Sequence, residues 1–358
     1  MLNSLSIKNY RGFRDFHIEG FDRVNLITGA NNTGKTSLLE ALYLNLAPTS
    51  AEPSLRFELL RSFEQVSEYL DVEGSWGWLF HAKNYREPIQ IISSGVEQPE
   101  RSVSIQWLSF IASVGGPRPA AQNLRVRLVM KPIMSDQEKE VAHLEICVRE
   151  DSSNSRKLPL PANWERNPNE MSLTPLGVLF EPKRPSPKES AEQFSQLDDL
   201  GRKSEVVDVL RILDDRLIDL GVSVSDKLPM IYADVGIGRR LPVAQMGEGM
   251  VSLLAMTLEI INAPNGVVLI DEIESGLHHS ALVKVWQALA TAARRYDVQI
   301  FATTHSMEAV RAAHIAFKES GVYDLRLHRL EREGEDIRAF TFDEETLGAA
   351  VEMNWEVR

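Results

Sequence analysis

The sequence predicts an α/β fold with a mostly parallel sheet, interrupted by an antiparallel β-rich and helical insertion, and three observations carry that reading. Short apolar, β-prone runs alternate with stretches of helical period at both ends of the chain. A glycine-rich turn joins the first such strand to the first such helix. The segment between the two ends changes to short runs separated by Gly, Pro, Ser and Asn.

Taken in order, LSIKNYRGFRDF opens the chain with a first strand, and Val24 to Thr28 (VNLIT) forms the next. KTSLLEALYLNL follows, with Leu38, Leu39, Leu42, Tyr43 and Leu46 at helical spacing. PIQIISS, SVSIQWLSFIAS, LRVRLVM and HLEICVRE read as antiparallel strands. EPKRPSPKES (181–190) reads as an exposed loop whose Lys183, Arg184 and Lys188 are either phosphate contacts or a solvated turn. KSEVVDVLRILDDRLIDLG places Val206, Leu210, Leu213, Leu217 and Leu220 on one stripe of a core-packing helix. From 229 the alternation resumes: PMIYADV, EGMVSLLAMTLEII, GVVLIDE, SALVKVWQALATAARRY and VQIFATT read as strand, helix, strand, helix and strand. A strand pair (YDLRLHRLER, EDIRAFTFD) and a terminal helix follow. The expected organisation is a core domain split into 1–48 and 229–358 around an insertion at 49–228.

Composition bounds the function classes. The chain has 358 residues, 43% hydrophobic and 25% charged, which is globular usage with enough apolar residues for a large core. Its single cysteine, Cys147, cannot form an internal disulfide and reads as a small core residue in a reducing compartment. A net charge of −12 argues against coating nucleic acid through the overall field. No run of about 18 apolar residues and no basic-then-apolar leader is present, so the expectation is a cytoplasmic protein without a membrane partner.

The chemistry is concentrated in three short stretches. Gly29-Ala30-Asn31-Asn32-Thr33-Gly34-Lys35-Thr36 fits G-x-x-x-x-G-K-[ST] between a strand and a helix, the context a Walker A loop requires. Glycines let the backbone curl so that successive N–H groups and the helix start face phosphates. Lys35 reaches the β/γ oxygens, the Thr36 hydroxyl suits Mg²⁺, and Ser37 extends the cradle. Val267-Val268-Leu269-Ile270-Asp271-Glu272 ends an apolar strand in two carboxylates, as a Walker B strand does: Asp271 for the Mg²⁺ shell, Glu272 to polarise water. His305 then stands at the carboxyl end of the strand VQIFATT, where parallel sheets bind ligands, with the γ-phosphate as its candidate contact.

The order Walker A, long insertion, QMGEGM, VVLIDEIESGLHH, ATTHS resembles the ABC-type ATPase family, in the branch containing RecF, SMC and the OLD-like ATPases, and the opening LSIKNYRGFRDF resembles that branch too. The resemblance covers about 1–48 and 178–319. It implies an ABC signature at Gly247, Glu248 and Gly249, a D-loop around Ser275 to His278, and a switch histidine at His305. QMGEGM stands where transporter members carry LSGGQ, so the signature Ser is absent, and a Q-loop glutamine is not placed between Gln106 and Gln196. The insertion lacks sustained heptads for a long coiled coil, and residues after 320 leave no space for a Toprim nuclease domain.

A P-loop of this type is completed by the signature helix of a second copy, so the resemblance implies ATP with Mg²⁺ as the glue of a homodimer and hydrolysis by Glu272, His305 and Lys35 as its timer. It also implies regulation of a separately encoded effector, a nuclease in a prokaryotic defence system. No nuclease motif such as HExxH or a Cys/His metal cluster is present in this chain. Two alternatives stay open. One is a RecF-like repair ATPase binding nucleic acid directly, with Arg11, Arg14, Arg239, Arg240, Arg294 and Arg295 as phosphate contacts; the other is a non-hydrolysing scaffold. Trp76, Trp78, Trp107, Trp164, Phe80 and Phe110 of the insertion read mostly as core, with interface anchoring as the alternative, and the segment 49–177 with the adjoining 181–221 is the expected surface for self-association or for an effector.

Overall fold

The two hydrophobic periods sort into two compact units in the computed structural model, which describes residues 1–46, 77–95, 98–110, 121–131, 139–148, 164–166, 177–180, 186–225 and 228–353. One unit comprises Met1–Gly20, Asn32–Pro175 and Glu331–Ala339. The other comprises Phe21–Asn31, Leu176–Leu330 and Phe340–Arg358.

The first unit is an antiparallel sheet of seven strands in the order β2-β1-β4-β5-β6-β7-β8. β1 (Leu2–Tyr10) and β2 (Phe13–Glu19) form the N-terminal hairpin, with Leu5 opposite Ile18 and Ile7 opposite Phe16. β1 also pairs with β4 (Ile89–Gly95), which continues through β5 (Gln98–Phe110), β6 (Ala121–Lys131) and β7 (Lys139–Val148) to the short β8 (Trp164–Arg166). Alternation puts Leu5, Ile7, Ile89, Ile91, Val103 and Ile105 inside. Helix α1 (Lys35–Leu46) buries Leu38, Leu39, Leu42 and Leu46. Its Asn45, fully buried, donates to the carbonyls of Ile91 (3.0 Å) and Arg101 (3.3 Å) and accepts from Ser93 Oγ, so this inward polar group is satisfied by β4 and β5.

This division differs from boundaries at 49 and 228. The β1–β4 ladder binds the N-terminal hairpin to the strands expected of the insertion, whereas 186–228 packs with the second unit. Of the insertion's aromatics, Phe80 is buried, Trp107 stacks on Tyr85 at 4.9 Å between centroids, and Trp78 is 62% exposed; the side chains of Trp76, Trp164, Phe110 and Cys147 lie outside the described residues.

The second unit holds the parallel sheet, in the order β16-β15-β3-β14-β13-β9. β3 (Val24–Gly29), β14 (Gln299–Thr303) and β13 (Val267–Ile270) are buried along their whole length, as central parallel strands are. β15 (Leu325–Glu333) runs parallel beside β3, and β9 (Gly177–Phe180), a strand the sequence reading did not register, runs parallel beside β13. β16 (Asp336–Phe342) closes one edge. Val24, Leu26, Val268, Ile270, Ile300 and Ala302 share a core with Leu253 and Leu254 of α4 (Glu248–Asn262), Trp286 and Leu289 of α5 (Leu282–Tyr296), Val310 and Phe317 of α6 (Met307–Glu319), and Leu347 of α7 (Glu344–Glu352). Each such aliphatic side chain contributes about 1.5–3 kcal/mol by leaving water. No helix among the described residues is long and apolar enough to cross a membrane.

Three local expectations are corrected. PMIYADV is a strand, β11 (Leu228–Asp234), but it pairs antiparallel with β10 (Asp219–Ser225) and β12 (Leu241–Pro242) in a separate three-stranded sheet. The leucine stripe from 203 is not one helix: α3 (Lys203–Leu210) ends, Arg211 reaches the carbonyls of Leu217 (2.7 Å) and Ile218 (3.0 Å), and Asp214 holds Arg216. Leu217 and Leu220 are still buried, but from a turn and from β10, so the same apolar positions are satisfied by a different path. Within 181–190, Pro187 starts helix α2 (Pro187–Asp199): Ser186 accepts from Glu189 N while Glu189 accepts from Ser186 N, a capping box with Pro at the first turn. Lys188 pairs with Glu192 at 3.7 Å, whereas Lys183 and Arg184 lie outside the described residues.

His328 of β15 is fully buried, with Nδ1 3.0 Å from Thr341 Oγ1 and Nε2 3.3 Å from Asn25 Oδ1, and burial lowers its pKa from 6.5 to about 3. The unfolded chain therefore binds one more proton here below pH 6.5, and stability rises with pH through the window from about 3 to 6.5. Urea unfolding at pH 7 and pH 5 is expected to show about 2 kcal/mol of pH-linked loss that His328→Gln lacks. An equal pH dependence in both proteins contradicts this assignment.

Candidate active site

Three adjacent parallel strands of the second unit, β3, β14 and β13, deliver the chemistry at their carboxyl ends. Thr303 lies opposite Ile27 and Ile270 opposite Ala302, and Thr304 N donates to Ile27 O at 3.0 Å, so Gly29, Asp271 and His305 all leave the sheet on the same edge. That edge is where open α/β sheets bind ligands.

The glycine-rich turn begins at Gly29 (φ 143°) and passes through left-handed Asn32 (φ 63°) and Gly34 (φ 90°) into α1. Side chains are excluded at Gly34 on two counts: its φ is unfavourable for L-residues, and a Cβ there would stand 2.8 Å from Phe13 Cζ. Leu38 N donates to Gly34 O at 2.8 Å, so helical bonding starts from that glycine, and Lys35, Thr36 and Ser37 occupy the first turn. Lys35 is buried and Thr33 with it, while Asn31 and Asn32 are exposed. A turn of this shape, followed by a cation and two hydroxyls, fits a polyphosphate.

Asp271 and Glu272 follow β13, and Glu272 has φ 51°, a left-handed backbone that costs a non-glycine residue about 1–3 kcal/mol and is held by its neighbours. Thr303 supplies that hold. Its Oγ1 accepts from Glu272 N at 2.8 Å and donates to Asp271 Oδ1 at 2.5 Å, and its carbonyl accepts from Ile273 N at 3.0 Å. His305 Nε2 lies 3.9 Å from Glu272 Oε1, and His305 N donates to Glu274 Oε1 at 2.8 Å. Asp271, Glu272 and His305 are thus brought together as the sequence predicts, and Thr303 and Glu274 are added to them. Both lie inside the motif stretches VVLIDEIESGLHH and ATTHS, but neither was given a role there, because each acts through a hydrogen bond spanning 31 residues.

Gly247 (φ 105°, ψ 160°) is the N-cap of α4 and makes no side-chain cap; Gly247 and Glu248 are exposed. A Cβ on Gly249 would lie 3.6 Å from Leu277 Cδ2, and Ser252 Oγ is 3.4 Å from Ser275 O, so the helix that starts at the signature position rests on the expected D-loop stretch. Gln106 and Gln196 are both exposed, which does not choose between them. Five of the six arginines considered for nucleic acid are engaged in ion pairs: Arg11 with Glu40, Arg14 with Asp336, Arg240 with Asp219, Arg294 with Asp324 and Arg295 with Glu205; Arg239 is exposed.

Asp271, its carboxylate oriented by Thr303 Oγ1, offers the hard oxygen that Mg²⁺ takes. No group of three or more His, Cys, Asp or Glu side chains suited to a metal exists among the described residues.

Fold and motifs together define a P-loop nucleotide-binding protein. Residues 1–94 match the family model described as "AAA ATPase domain", and residues 145–311 match that described as "AAA domain, putative AbiEii toxin, Type IV TA system". A Helicobacter pylori protein named ATP/GTP phosphatase is 24% identical over 340 residues, 89% of each chain. The DNA replication and repair protein RecF of Bacillus cytotoxicus is 38% identical over 60 residues, 17% of this chain and 16% of that protein. The solved SMC head bound to the C-winged helix domain of ScpA superposes with a TM-score of 0.52 at 11% identity, covering 97% of this chain and 99% of that one, which is a likeness of fold. The two ATPase-domain matches, the Helicobacter relative and the fold together support an ABC-type P-loop ATPase of the RecF/SMC group.

Proposed function

We propose that this protein is an ATP-hydrolysing switch that dimerises on ATP and regulates a separately encoded effector, a nuclease in a prokaryotic defence system. The observation that carries the reading is the convergence of the Gly29 turn, Asp271–Glu272 and His305 at the carboxyl ends of three adjacent strands. In this reading Gly29, Asn31, Asn32, Thr33, Gly34, Lys35, Thr36 and Ser37 hold the ATP phosphates, and Thr36 and Asp271 hold Mg²⁺, which when bound neutralises phosphate charge. Glu272 accepts the proton of the attacking water at its carboxylate, His305 steadies the Glu272 carboxylate and the γ-phosphate side, and Lys35 offsets developing charge.

Gly247, Glu248 and Gly249 then serve the nucleotide of a second copy, consistent with the exposure of Gly247 and Glu248 at a helix start. The defence role draws on the matched family model, whose description names an AbiEii toxin and a type IV toxin–antitoxin system. The nuclease as client rests on the resemblance of the motif order to the OLD-like ATPases. Phosphate release from ATP by the purified chain tests the enzymatic part: steady turnover with Mg²⁺, falling to background when EDTA removes the metal, is expected. Background turnover in both conditions leaves only the scaffold reading.

A further inference from the structure

We infer that Glu274 is a positioning residue, which sets the imidazole of His305 against Glu272 by anchoring the His305 peptide; the inference rests on the hydrolytic reading above. Glu272 and His305 sit on two different loops, one after β13 and one after β14, so their 3.9 Å separation depends on what ties those loops. Beside the Thr303 hydroxyl's bond to Asp271 Oδ1, the ties are Glu272 N to Thr303 Oγ1, Ile273 N to Thr303 O, and His305 N to Glu274 Oε1. The first two fix the Glu272 loop to the end of β14. Only the third takes hold of His305 itself.

The segment around His305 explains why that third bond matters. β14 ends at Thr303, and Thr304 is the last residue whose N–H reaches the sheet, through Ile27 O. Ser306 begins the cap of α6, its N–H on Thr304 Oγ1 and its hydroxyl accepting from Ala309 N. His305 lies between the strand and the helix, served by neither ladder, and its N–H goes to a carboxylate. A charge-assisted bond of 2.8 Å is the stronger kind, and it fixes the direction in which the His305 side chain departs. Glu274 lines a cleft of about 360 Å³ with Leu277, His279, Leu282, Ser306 and Glu308, and its other oxygen, Oε2, is buried without a protein hydrogen-bond partner among the described residues. A carboxylate oxygen shut from water without a partner is costly, which argues that the bond made by the other oxygen is the reason for the place of Glu274. Glu274 acts through His305, whose N–H it holds.

The test uses the full chain and two variants of similar length. Glu274→Met removes the acceptor, and Glu274→Gln keeps an acceptor oxygen while removing the charge. Turnover in Glu274→Met is expected to fall about 10- to 100-fold, the scale on which misplacement of a catalytic group acts, with affinity for a non-hydrolysable ATP analogue within about 3-fold of wild type. Glu274→Gln is expected to recover turnover to within about 3-fold. In parallel, the His305 ring resonance, assigned by its loss in His305→Ala, is expected to move in the Met variant and to stay in place in the Gln variant. Should Glu274→Met fail to fold, Glu274→Ala takes its role. Wild-type turnover in Glu274→Met, or a Gln variant as slow and as shifted as Met, overturns the proposal. A wild type without turnover refutes the hydrolytic reading instead, and the resonance comparison still decides whether Glu274 positions His305.

Discussion

Lys35→Ala abolishes nucleotide binding in calorimetric titration with Mg²⁺ and a non-hydrolysable ATP analogue. The loss expected is about 30- to 4,000-fold in affinity, since a desolvated charge paired with phosphate is worth roughly 2–5 kcal/mol and each 1.4 kcal/mol is tenfold. Lys35 is 5% exposed at the start of α1, in the turn whose shape Asn32 and Gly34 fix through left-handed backbone. Alanine is the best helix former, so the substitution leaves α1 intact and removes the cation alone. An affinity within a few-fold of wild type defeats the assignment of the phosphate site.

Glu272→Gln retains ATP binding but slows hydrolysis by about 10² or more, because the glutamine occupies the same volume and cannot accept the proton. The left-handed backbone at 272 and its N–H bond to Thr303 do not depend on the side-chain charge, so the loop is expected to keep its shape. Single-turnover phosphate release measures the step directly. Equal rates in the variant and the wild type remove Glu272 from the chemistry and return attention to His305.

The parts legible in the sequence were those whose chemistry is local. The turn from Gly29 to Thr36 carries its glycines, lysine and hydroxyl in one stretch, and VVLI before Asp271 is a buried parallel strand that four apolar residues announce. The capping box at Ser186 and Glu189 was equally local, yet a Pro-rich surround led to a loop reading instead of a helix start. Pairing decisions were not legible, because they are non-local: β11 has the same apolar pattern whether it joins the parallel sheet or the hairpin with β10. The leucines at 217 and 220 kept a helical spacing that a turn and strand satisfy equally well. In the candidate site, Asp271, Glu272 and His305 were visible as motif residues. Thr303 and Glu274 stood in the same stretches without a readable role, since a side chain that serves a backbone N–H 31 residues away leaves no periodic trace.

The claim that ATP drives assembly is tested most directly by the mass of Glu272→Gln in solution, measured by light scattering after size exclusion with and without ATP and Mg²⁺. A species at the chain mass of 40.3 kDa without nucleotide, converting to twice that mass with ATP and reverting when nucleotide is removed, is the result expected. One unchanged mass in both conditions, in a variant shown by calorimetry to bind ATP, contradicts it.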